Sequence, residues 1–168
     1  MDGTSKLASV KQTTPAMATA LPDLPMQQVV IVRLVRILGA SMTAYFEPVF
    51  RRVGLSENSF HVLCLLSADE KNQASPSELS DMVGTSRGNM TRILEELLQA
   101  RLVTRTVELR DTRRHAIHLT DRGREMAASV VPRISAPLVR AFSELTPEAL
   151  RELDQTLQSV IRALDQRS

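Results

Sequence analysis

Cysteine, tryptophan and lysine are nearly missing from this chain, and each shortage narrows what it can be. Cys64 is the only cysteine in 168 residues, so no intrachain disulfide and no cysteine-based zinc site can form. Such usage fits a reducing, cytoplasmic setting. Tryptophan is absent and aromatics make up 3%, so the core must be built from Leu, Val, Ile, Met and Ala, which suits helices. Charge of one sign is also lacking: the net charge is only +2, which excludes a global polycation. No run of 18 apolar residues occurs. The longest approach, "VVIVRLVRILGASM", is broken by Arg33 and Arg36, which argues against a membrane span. The N-terminus lacks the continuous apolar stretch of a secretory signal. There is no phosphate-binding glycine loop and no serine elbow. His115 and His118 lie three apart on a strand pattern, so they point to opposite faces and cannot share a metal. Neither an enzyme, a cofactor nor a metal site is expected.

What is present is arginine and helical periodicity. The only lysines are Lys6, Lys11 and Lys71; the remaining cations are Arg, whose planar fork matches phosphates and base edges. Residues 1–25, rich in Ser, Thr, Ala and Pro, read as a flexible arm. From Met26 to about Val53 a long helix is apolar on more than one side, which predicts burial against a second subunit. Residues 26–54 are therefore expected as a dimerisation helix, residues 55–120 as a separate central domain, and residues 121–168 as C-terminal dimerisation helices. Ser56, Ser75 and Ser86 are expected N-caps, with Pro76 and Glu78 completing a capping box. Thr120 or Asp121 opens a further helix to about Leu145, where Pro132 and Pro137 are expected to kink it. Thr146, Pro147 and Glu148 open the last helix. The fold class is mainly α with a small β-hairpin wing.

Two short helices separated by "GTS" form a helix-turn-helix candidate. The second begins "SRGNMTR" and is expected to turn Met90, Ile93 and Leu94 inward. Its Ser86, Arg87, Asn89, Thr91 and Arg92, with Ser75 and Ser77 from the preceding helix, make a candidate DNA surface, in which Met90 is also counted. The stretch "VTRTVELRDTRRHAIHLTDRG" follows directly. Alternating apolar residues flank a polar tip expected over 110–114. Arg105, Arg110, Asp111, Arg113 and Arg114 make it a candidate wing, able to place an Arg in a narrow minor groove.

Val103, Arg105, Asp111, Arg113, Leu119, Thr120 and Gly123 stand at the spacing of the wing of the MarR family of bacterial repressors. "SRGNMTRILEELLQARLV" resembles that family's recognition helix, with Thr91 and Arg92 at its usual Thr-Arg. The resemblance covers residues 26 to 164. It implies a winged helix-turn-helix homodimer on double-stranded DNA with a pseudo-palindromic operator, with Arg113 reaching the minor groove. Three departures stand out: Glu96 where many members have Arg, Arg101 in place of a Gly before the strand, and Thr112 in place of the first Arg of the tip.

The resemblance also implies a small aromatic acid inducer, the nicotinate-like acids among them. Members sensing such acids often carry Trp and, four residues later, Arg; here those places hold Phe60 and Cys64. His61 beside them, Arg33 or Arg36, and Tyr45 complete the candidate ligand set. His61 as a helix residue with an ordinary hydrogen bond, and the two Arg in dimer salt bridges, remain open. So do redox sensing through Cys64, whose apolar setting suits a small hydrophobe, and a winged module that binds protein only.

Overall fold

The computed structural model describes residues 2–108 and 111–166, with the side chains of 107–108 and 111–114 outside that description. The described residues form seven helices and three strands, so the expected mainly α class with a β wing holds. Two compact units divide the chain, Met1–Val130 and Val131–Ser168.

In the first unit, residues expected as a flexible arm instead form helix α1 (Gly3–Ala20). The reason is local and tertiary at once. Asp2 caps the helix by accepting from the Ser5 amide at 2.7 Å, and that bond draws its carboxyl below the usual carboxylate range. Threonines at 13, 14 and 19 donate their hydroxyls to carbonyls four residues back, so these polar groups are satisfied inside the helix. α1 then lies antiparallel on α2 (Met26–Arg51). Its Gly3 meets Ser41, and Arg33 donates to Thr13 Oγ1 at 2.9 Å.

α3 (Glu57–Ala68), α4 (Pro76–Val83) and α5 (Arg87–Gln99) follow, each opened by its expected serine cap. Between α3 and α4 lies a two-residue strand, β1 (Gln73–Ala74). It pairs with β3 (Asp111–Leu119), which also pairs with β2 (Val103–Glu108), in the antiparallel order β1-β3-β2. Glu108 is paired with Asp111, so residues expected in the tip belong by backbone to β3. Strand pairing is carried by main-chain groups, so a polar sequence does not by itself end a strand. The core joins Leu63 and Leu66 of α3, Leu79 of α4, Met90, Ile93 and Leu94 of α5, and Val103 and Ile117 of the sheet. Each such side chain contributes roughly 1.5–3 kcal/mol when buried.

α6 (Asp121–Ala141) keeps Pro132 and Pro137 inside one helix and ends short of the expected Leu145. In the second unit, α7 (Pro147–Asp165) starts at the expected Thr146 cap and has no buried residue among those described.

Candidate nucleic-acid interface

The start of α4 and the turn from α4 into α5 are held by side chains the sequence places there. Ser75 and Glu78 close a reciprocal capping box, the Glu78 amide donating to Ser75 Oγ at 3.2 Å and the Ser75 amide to Glu78 Oε2 at 2.8 Å. Gly84 ends α4 in the left-handed conformation, at φ 71°, which costs glycine nothing and other residues about 1–2 kcal/mol. The buried Ser80 hydroxyl donates to the Thr85 carbonyl at 2.7 Å, and Asn89 Nδ2 donates to Thr85 Oγ1 at 2.8 Å. The angle at which α5 leaves the turn is thus set by hydrogen bonds and not by packing alone.

α5 divides its faces sharply. Ile93 and Leu94 are fully buried, while Ser86, Arg87, Thr91 and Arg92 are exposed. Arg87 and Thr91 line a cleft of about 1400 Å³ together with Ser75 and Ser77 of the α4 N-terminus and His115 of β3. The amides at the α5 N-terminus add partial positive charge at the same end. Arg92 is partly engaged: it donates to Glu96 and, at 3.0 Å, to Asn89 Oδ1. Glu96 therefore neutralises a cation on the outer face of this helix, where the family resemblance has Arg.

The wing is anchored at its base. Thr120 Oγ1 donates to the Arg101 carbonyl (2.9 Å) or the Leu102 carbonyl (3.0 Å) and accepts from the Gly123 amide at 3.0 Å, so one hydroxyl caps α6 and ties it to the start of β2. A Cβ on Gly123 would lie 2.1 Å from the Leu102 carbonyl oxygen. Arg101 adopts φ 58°, so the tight turn implied by the usual glycine is kept despite the substitution. Arg105 is exposed on β2 opposite Ile117. Arg110 lies outside the described residues, as do the side chains of Asp111, Arg113 and Arg114.

Within the single chain, three features of the candidate set stand out. Met90 is 1% exposed in the core and is out of reach of a duplex; the i, i+3, i+4 stripe it shares with Ile93 and Leu94 already placed it inside. Phe60 is buried against Phe50, ring centroids 5.4 Å apart, and forms no open wall in the single chain. The six ligand candidates also do not converge within one chain. Arg33 and Arg36 face α1, whereas Tyr45, stacked edge-on against Phe46, lies about 13–18 Å further along α2, and His61 is exposed and Cys64 half-buried on α3. Burial pushes the Cys64 thiol up, away from the thiolate. His115 was missed as a cleft residue, although its period-two relation to Ile117 and Leu119 would have put it on the helix-facing side. Among the described residues no cluster of His, Cys, Asp and Glu could hold a metal.

Known proteins agree with this arrangement. The MarR family model matches residues 55–115, which run from the start of α3 into β3. Over 96% of its length the chain is 28% identical to the transcriptional repressor MprA of Escherichia coli, covering 92% of that protein. It is 30% identical to the HTH-type transcriptional regulator SarZ of Staphylococcus epidermidis across 69% of this chain and 76% of that one. The crystal structure of AbsC, a MarR family transcriptional regulator from Streptomyces coelicolor, superposes with a TM-score of 0.75 at 26% identity, covering 84% of this chain and 97% of the other. With helix-turn-helix, wing and flanking helices in the same order, this chain belongs to the MarR family of winged-helix, DNA-binding transcriptional regulators.

Proposed function

We propose that the protein acts as a homodimeric repressor that sits on a pseudo-palindromic operator and is released by a small aromatic acid. The observation that carries the DNA-binding half is the exposed row Arg87, Thr91 and Arg92 on a helix whose exit angle is locked by Ser80, Thr85 and Asn89. In this reading the N-terminal half of α5 enters the major groove. Ser75 and Ser77 meet the phosphate backbone, and the wing carries Arg113 toward the adjacent minor groove. Two copies related by a two-fold axis place their α5 helices about 34 Å apart, one turn of DNA.

Uncovered apolar surface supports the dimer. On α2, Ile31, Val32, Val35 and Leu38 are exposed, and on α7 so are Val160, Ile161 and Leu164. α2 is also long and apolar enough to cross a bilayer by length and composition. A dimer seam asks for the same apolar surface, and a cytoplasmic DNA-binding regulator has use for the seam. The raised thiol of Cys64 counts against redox control.

Arg113→Ala tests the wing. A groove contact of this kind contributes roughly 1–3 kcal/mol and is used in both half-sites. Gel shift at one salt concentration should show loss of specific binding with the circular dichroism spectrum kept. Unchanged operator affinity removes Arg113 from the mechanism.

A further inference from the structure

We propose that the pocket between α1 and α2 is an anion site that takes a small organic carboxylate. It is an open groove of about 290 Å³ lined by Lys6, Ser9, Val10, Arg33, Arg36 and Ile37. Three of these six are cations, and among the described residues no carboxylate lines the pocket. Like charges gathered around one space repel unless an anion occupies it. Arg33 sharpens the argument. Its Nη2 donates to Thr13 Oγ1 at 2.9 Å, while its Nη1 is buried with no hydrogen-bond partner among the described residues. A buried guanidinium nitrogen left unpaired is costly, and a carboxylate oxygen satisfies it by a charge-assisted bond. Thr13 fixes the orientation of the guanidinium, because its hydroxyl is itself committed to the Ser9 carbonyl at 2.7 Å.

The rest of the lining selects the body of the ligand. Val10 is buried and Ile37 half-buried, so the pocket joins an apolar floor to a cationic rim. That pairing suits an acid with a compact apolar body. The volume lies at the small end of ligand sites. The site is separate from Phe60 and His61 and uses α1, which the sequence presents as an arm. It refines the inducer reading above and rests on it for its regulatory meaning. A ligand held by both helices stabilises whichever packing of α1 on α2 it prefers, and α2 carries the apolar surface assigned to the dimer.

The test is calorimetric titration of the full chain, without DNA, by benzoate, by its neutral isostere benzamide and by inorganic phosphate. Benzoate should bind and benzamide should not. Arg33→Gln should weaken benzoate roughly tenfold to a hundredfold, the loss of one charge-assisted bond. Lys6→Gln should weaken it in the same direction, and His61→Ala should leave it unchanged. Circular dichroism and sedimentation of each variant report whether fold and assembly are kept. No benzoate binding by wild type, benzoate binding that survives Arg33→Gln, preference for phosphate, or dissociation of the dimer in place of lost binding each overturns the proposal. Operator release is measured separately. If benzoate binds through Arg33 but leaves operator affinity unchanged, the site stands and the inducer reading falls. If benzoate releases operator from Arg33→Gln as from wild type, the site falls and the inducer reading stands.

Discussion

At Gly123 a single hydrogen atom decides whether the wing can sit on its base. The Leu102 carbonyl approaches so closely that a Cβ would lie 2.1 Å away, and the obstacle is backbone, not a side chain that can swing aside. Gly123→Ala should therefore destabilise the protein by roughly 3 kcal/mol or more, the range of severe overpacking, read as a lower urea midpoint with an unchanged m-value. Arg101 presents the opposite situation. It holds φ 58° with a side chain, at a cost of about 1–2 kcal/mol over a favoured conformation. Glycine removes that strain but loses more entropy on folding. The balance favours Arg101→Gly by about 0.5–1 kcal/mol, visible as a raised denaturation midpoint. A drop in stability would mean that the Arg101 side chain makes contacts worth more than the strain.

The recognition helix is a compromise between its own stability and its charge. Arg92 bridges Asn89 and Glu96 on the solvent side of α5. Both partners of the Arg92–Glu96 pair are more than half exposed or nearly so, so the bridge itself contributes at most about 1 kcal/mol. Its larger consequence is electrostatic: an acid stands beside the surface proposed to meet phosphates. Glu96→Gln keeps the shape and deletes the charge. We expect it to raise operator affinity roughly two- to tenfold at low salt. The plot of log affinity against log salt should also steepen by up to about one unit per protomer, as one more cation becomes free to displace counterions. Unchanged slope and affinity would show that Arg92 does not face the duplex. The capping serines around this helix were legible in the sequence because a cap is decided within four residues. The commitment of Arg92 to Glu96 was not read, although the i, i+4 spacing was there to suggest it.

Over the whole molecule, the helices proposed to join two copies are the ones the single chain leaves bare. α7 has no buried residue among those described, and Leu164 is 67% exposed. Truncation after Leu145 removes Leu150, Leu153, Leu157, Ile161 and Leu164. If each is covered in a dimer and contributes roughly 1.5–3 kcal/mol, their sum is comparable to the whole stability of an ordinary domain. Sedimentation should show loss of the dimer, with operator binding falling with it. A well-folded dimer from the truncated chain would show that α7 is dispensable and that the seam lies elsewhere.

Composition and spacing alone determined the helical class, the serine and threonine caps, the inward stripe of α5 and the order helix, turn, helix, wing. These depend on contacts within a few residues or on periodicity, which a single chain displays directly. Tertiary structure decided what depends on partners far apart in sequence. Residues 1–25 look disordered until α1 finds α2. Gln73 and Ala74 become a strand only because β3 offers His118 and Ile117 as partners. Phe60, read as a pocket wall, is closed off by Phe50. Arg33 and Arg36, grouped by charge with His61, turn instead toward Lys6. The reason is the same in each case: the free energy of these residues is set by the surface they are packed against, and that surface comes from residues the local sequence does not contain.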